Sequence, residues 1–177
     1  EMVHFSGTSI SAAMVTGAIA VELARTPSLS PLEIDRLLRN SCIEAERPGF
    51  DSISGYGALS LSRLENQNNP NYCDPALVGY HFEHSDGLNA GTLPFDVMIQ
   101  NQGNTWVGNL SLHVNYLAMN KSFRIDNLAP GELRMEKLYL QGAEFDDTVE
   151  IEARLVLPSG MNDARLDNNK RKSVIKF

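Results

Sequence analysis

The chain has 177 residues, a size that suits one large domain or two small ones, and either can bury a core. Hydrophobic residues make up 42% and charged residues 21%, and no apolar run approaches the ~20 residues that a membrane span needs, so a transmembrane protein is excluded. With 22 acidic against 15 basic side chains the formal charge is −7, which withholds the basic field that a phosphate backbone requires and disfavours nucleic-acid binding.

The first predicted element is a helix from Thr8 or Ser9 to about Arg25, stopped by Pro27. Apolar or small residues, from Ile10 through Ala13, Met14, Gly17 and Ala20 to Leu23, lie all round it. That pattern marks a helix buried on most sides inside a larger body. A second helix starts at Ser30, with Pro31 at its first position and Glu33 at its third, a capping-box arrangement. Ile34, Leu37, Leu38 and Ser41 then give it a single buried stripe. Residues 65–74, ENQNNPNYCD, carry four Asn and a Pro with no period of either kind, and are expected to be a linker.

Beyond the linker the period becomes 2, and all five lysines of the chain fall there, from Lys121 onward. Strands are expected around Leu77 to Phe82, Leu93 to Ile99, Leu110 to Tyr116, Phe123 to Ile125, Leu133 to Leu140, Val149 to Leu155 and Val174 to Phe177. Turn residues separate them, for instance Asn101-Gln-Gly-Asn104 and Pro158-Ser-Gly160. Seven such strands at this spacing argue for an antiparallel sandwich. The apolar parity switches between Met135 and Leu138, which predicts a bulge there. Trp106 follows a turn, where it is either an exposed binding aromatic or, as is commoner, a core or rim residue, and the core or rim is expected. Cys42 and Cys73 have no metal-type spacing, and they either pair or stand as two separate thiols. The opening at Glu1 rather than a Met is what a fragment or a processed piece shows.

The chemistry sits in Phe5-Ser-Gly-Thr-Ser-Ile-Ser-Ala-Ala-Met-Val-Thr-Gly-Ala18. A serine at the start of a helix is ordinarily an N-cap whose hydroxyl accepts a free backbone N–H. Alternatively it is a nucleophile whose own N–H, at the positive end of the helix dipole, helps bind the oxyanion formed on attack at a carbonyl. Gly7-Thr8-Ser9 with its small-residue helix resembles the nucleophile motif of the subtilisin-like serine proteases, the subtilases, with Ile10, Ala13 and Met14 departing from the usual GTSMAxPHVAG. The likeness continues through Leu29-Ser-Pro-Leu-Glu-Ile-Asp-Arg-Leu-Leu-Arg-Asn40 and ends at Gly55-Tyr-Gly-Ala-Leu59, covering roughly residues 3 to 64.

The resemblance implies an α/β fragment over residues 1–64, the C-terminal helices of a subtilase catalytic domain. It implies peptide hydrolysis through an acyl-enzyme, with Ser9 as nucleophile and its backbone N–H in the oxyanion hole. The family's catalytic Asp, His and oxyanion Asn precede the serine, and only eight residues precede Ser9 here. None of His4, His81, His84 and His113 matches the family's histidine, so this chain alone is expected to be inert. The implied partners are a protein or peptide substrate and the missing upstream part of the catalytic domain, and the implied location is secreted or cell surface.

Residues 75–177 are expected to form an all-β antiparallel immunoglobulin-like sandwich. They resemble CARDB modules in Val97-Met-Ile-Gln-Asn-Gln-Gly103, Leu128-Ala-Pro-Gly-Glu132 and Asp167-Asn-Asn169. No cofactor is needed for the chemistry. Asp146-Asp147 and the run from Asn162-Asp163 to Asn169 have oxygens suited to a structural Ca²⁺, although turn shaping is the commoner use of such residues. Asn109-Leu-Ser111 and Asn120-Lys-Ser122 match the N-glycosylation pattern, which matters only in a eukaryotic secretory host. The alternative to a secreted endopeptidase is a non-catalytic adhesion or substrate-binding module attached to a degenerate subtilase domain.

Overall fold

A computed structural model describes residues 7–45, 48–82, 92–141 and 148–176. Helix α1 spans Thr8–Arg25 and α2 spans Pro31–Asn40. The capping box at α2 forms as the sequence predicts: the Glu33 N–H donates to Ser30 Oγ, and Glu33 Oε2 accepts from the Ser30 N–H at 2.7 Å. Ile34 is buried, with Leu37 and Leu38 half-buried beside it, so α2 lies on a surface by one stripe.

Ser41 ends α2, and Cys42–Ile43 (β1) pairs antiparallel with Ala58–Leu59 (β2). The loop between them turns on Asp51, whose Oδ1 accepts the N–H groups of Ile53 and Ser54, both at 2.7 Å. Gly57 has φ +90°, and a Cβ there would lie 2.1 Å from the Ile43 carbonyl oxygen. Only glycine lets the hairpin close that tightly. A short helix, α3 (Leu61–Asn66), follows, with Ser60 accepting the Arg63 N–H as its cap.

The remainder is two antiparallel sheets. Pro75–Phe82 (β3), Thr92–Asn101 (β4) and Leu133–Gln141 (β7) form one, in the order β3-β4-β7. The other, in the order β6-β5-β8-β9, holds Val107–Tyr116 (β5), Met119–Leu128 (β6), Thr148–Val156 (β8) and Lys170–Lys176 (β9). A 3-10 turn at Leu166–Asn169 leads into β9. These are seven strands among the described residues, all antiparallel, with inward-facing residues alternating as in any two-sheet sandwich. Helices first and an antiparallel sandwich second is the fold class that the periodicities predict.

The core lies between the sheets. Phe95, Val97 and Ile99 enter from β4, and Leu110, Leu112, Val114, Ile125, Ile151 and Leu155 enter from the facing sheet. Phe95 is its centre: fully buried, stacked on Phe82 at 5.7 Å between ring centroids and edge-on to Tyr116 at 5.3 Å. The predicted bulge near Met135 to Leu138 is absent, because β7 runs in unbroken register along β4 from Gln100↔Leu133 to Thr92↔Gln141. Leu138 and Leu140 face the core, while Leu133 and Met135 lie on the opposite face beside Gln100 and Met98, themselves buried to 2% and 0% exposure. Both faces of the sheet are covered at that end, so apolar residues of either parity are buried without a kink. The register shift falls instead in β3, between Leu77 and Gly79.

Tyr80 of β3 ties the two sheets at their edges, its hydroxyl donating to the Arg171 carbonyl of β9 at 2.9 Å. Burial pushes this phenol up to about 12, from an ordinary value of 10.0. Between those two values the folded chain holds a proton that the unfolded chain has lost, so stability conferred by Tyr80 is complete below pH 10 and is lost as pH rises through 12. Denaturant titrations across that window should show a steeper alkaline loss of stability in the wild type than in Tyr80→Phe. Identical slopes would contradict the assignment.

Candidate active-site serine

Gly7 is the N-cap of α1, with φ 154° and ψ 161°, and no side chain caps the helix. The N–H groups of Ile10 and Ser11 both return to the Gly7 carbonyl, at 3.1 and 3.3 Å. Ser9 is therefore the second helical residue, within the first turn whose N–H groups have no intrahelical acceptor. Neither Thr8 nor Ser9 is the N-cap that an ordinary serine at a helix start would be. Ser9 is exposed, and its hydroxyl is not spent on the helix. Among the described residues the Ser9 hydroxyl and N–H have no partner, and both at the positive end of an 18-residue helix are what a nucleophile with its own oxyanion donor would present.

The rest of α1 is far barer than its composition predicts for a buried helix. Among its residues only Ala18 and Glu22 are buried, while Met14 is 60% and Val21 50% exposed. Glu22 is held by Arg25 at 3.0 Å and by the Gln67 amide at 2.7 Å, an arrangement that offsets the cost of burying a carboxylate. Two largely apolar grooves flank Met14. One, of about 480 Å³, is lined by Ser11, Val15, Leu38 and Leu59; the other, of about 470 Å³, by Gly17, Ala18, Val21 and Leu64.

The histidines fall where the sequence places them, or outside the described residues. His81 is on β3, and His113 is on β5 with its Nδ1 at 2.9 Å from Ser122 Oγ, so both belong to the sandwich. His4 and His84 lie outside the described residues, as do Asp146 and Asp147. No group of three or more His, Cys, Asp or Glu suited to a metal occurs among the described residues. In the run 162–169, Asp163 accepts the Arg165 N–H and the Asn169 amide, and Asp74 accepts the Asn168 amide and the Tyr72 hydroxyl. Those carboxylates are engaged in shaping turns.

Cys42 and Cys73 are both free thiols, and burial pushes each up from its ordinary value. Trp106, expected in the core or at its rim, stands 69% exposed at the turn before β5 and is not a core residue.

Residues 1–57 match the model of the Subtilase family, Peptidase S8. The matched segment makes up about a third of the chain, and it holds Ser9, α1, α2 and the Asp51 to Gly57 turn. Fervidolysin of Fervidobacterium pennivorans is 38% identical over 58 residues, covering 33% of this chain and 8% of that protein. A probable subtilase-type serine protease of Deinococcus radiodurans is 30% identical over 105 residues, covering 55% of this chain and 14% of that protein. The chain thus spans less than a sixth of the length of these curated relatives.

Among solved structures, the CARDB domain of a Pyrococcus furiosus protein covers 59% of this chain and 94% of its own, with a TM-score of 0.46 at 16% identity. A putative cell surface protein domain from Methanosarcina acetivorans covers 59% and 91%, with a TM-score of 0.43 at 13% identity. No helix of the described residues is long and apolar enough to cross a membrane.

Proposed function

We propose that this chain is the C-terminal part of a secreted or cell-surface serine endopeptidase, with Ser9 as its nucleophile and the Ser9 N–H as one oxyanion donor. The observation that carries the proposal is an uncapped, exposed serine in the first turn of α1, inside the segment that matches the subtilases. Attack by Ser9 Oγ on a peptide carbonyl gives a tetrahedral oxyanion, which the N–H at the helix start and the helix dipole stabilise. Collapse expels the amine and leaves an acyl-serine, which water hydrolyses. The histidine base and its aspartate are supplied by chain upstream of the subtilase segment, and no cofactor takes part.

The bare face of α1 supports the same proposal. A helix whose apolar side chains surround it, flanked by two apolar grooves, is a surface that the remainder of a catalytic domain would cover. The complete protein, treated with a fluorophosphonate, should be labelled at Ser9, and Ser9→Ala should not be labelled. Equal labelling of both would overturn the assignment, and a complete protein that is never labelled would turn the balance to a binding module on a degenerate protease domain. The isolated 177-residue chain should show no peptidase activity at any pH, because a serine hydroxyl without a positioned base is a poor nucleophile. Ser9-dependent turnover by that chain would show the base to lie within it.

A further inference from the structure

A polar stretch such as 65–74 ordinarily leaves the domains on either side free to reorient. Here it ends in three buried residues, Tyr72, Cys73 and Asp74, at 6%, 9% and 0% exposure. The turn between β4 and β5 enters against them. The Gln102 N–H donates to the Asp74 carbonyl and the Asn104 N–H to the Tyr72 carbonyl, both at 2.7 Å. Gly103 lies between, where a Cβ would come within 2.5 Å of the Tyr72 carbonyl oxygen and 2.7 Å of the Asp74 nitrogen.

The side chain of Asn104 reaches further. Its Nδ2 donates to the carbonyl oxygens of Asn66 and Asn69, at 2.6 and 2.9 Å, the last residue of α3 and the turn just after it. Carbonyls at a helix end have no acceptor role within the helix, and here a side chain from the sandwich takes one of them up. Tyr72 adds a buried link, its hydroxyl at 3.0 Å from Ser62 Oγ of α3 and 2.8 Å from Asp74 Oδ2. On β4, just before this turn, Gln100 Oε1 accepts the Glu44 N–H at 3.2 Å, and Gln100 Nε2 donates to the Gly131 carbonyl at 3.3 Å.

We propose that the turn Gln102-Gly103-Asn104 is a docking element that clamps the sandwich onto α3 and the segment ending at Asp74, so that the sandwich is held in one fixed orientation to α3. A single attachment is a hinge. Attachments to different segments, from Asn104 to Asn66 and Asn69 and from Gln100 to Glu44, restrict the rotation that a hinge allows. The proposal goes beyond the nucleophile assignment and does not depend on it.

Backbone amide NMR relaxation on the 177-residue chain tests it. In the wild type, amides of α3 and of strands β4 to β8 should share one rotational correlation time. Gly103→Ala should split them, because the added methyl cannot fit without displacing the Tyr72 to Asp74 backbone. Asn104→Ala removes two hydrogen bonds without a clash, and it should raise hydrogen exchange at α3 amides by about tenfold while the β5 amides stay protected. That second variant keeps the test decisive if Gly103→Ala fails to fold. Separate correlation times in the wild type would overturn the clamp, as would unchanged α3 exchange in Asn104→Ala.

Discussion

Ser9→Ala in the complete protein is expected to lower kcat/KM for peptide hydrolysis by on the order of 10⁴ to 10⁶, equivalent to roughly 5 to 8 kcal/mol of transition-state stabilisation. The size follows from what is lost. Without Oγ no acyl-enzyme forms, and only the oxyanion donors and substrate binding remain to accelerate direct attack by water. Folding of the 177-residue chain should be unaffected to within about 0.5 kcal/mol, because Ser9 is exposed there and caps nothing. Thermal unfolding of the variant beside its kinetics separates the two effects. A large fall in stability would mean the serine is structural, and retained turnover would mean that the nucleophile lies elsewhere.

Phe95→Ala should have the largest effect on stability, at about 3 to 5 kcal/mol. Phe95 is fully buried at the middle of β4, with Phe82, Tyr80 and Tyr116 all in ring contact with it. Its removal opens a cavity between two sheets whose backbones are fixed by their ladders, so the site cannot collapse to fill it. For a sandwich of this size that is a large fraction of a typical total of roughly 5 to 15 kcal/mol. Urea titration should show a lower midpoint at unchanged slope. Trp106→Ala, at a residue 69% exposed, should change stability by no more than about 0.5 kcal/mol and serves as the control. Equal effects from the two would show that Phe95 is not the centre of the core.

Local signals in the sequence carry over well to the fold. Ser30, Pro31 and Glu33 specify the start of α2 because a capping box is closed by residues three apart, whatever the rest of the chain does. The seven strands are legible because each has one face toward the core, and period 2 follows directly from the pleat. The likeness to the subtilases is equally legible, since three short blocks in order point to the segment over which the family model matches. Where an expectation fails, something distant in the chain is responsible. The parity switch near Met135 suggests a bulge only until the outer face of the sheet is seen to be covered beside Met98 and Gln100.

Neighbouring residues were enough to specify the elements and their order, because caps and periods are written locally, and they were enough to single out Ser9 as the candidate nucleophile. Packing, by contrast, decided that the apolar flank of α1 is bare and that the β4 to β5 turn closes on Asn66, Asn69 and the backbone from Tyr72 to Asp74. The turn's contacts join groups far apart in the chain, such as Asn104 with Asn66 and Asn69, and the bare flank depends on what another segment covers or leaves open. Composition records how polar a stretch such as 65–74 is. Only packing determines whether its backbone groups meet water or another part of the chain.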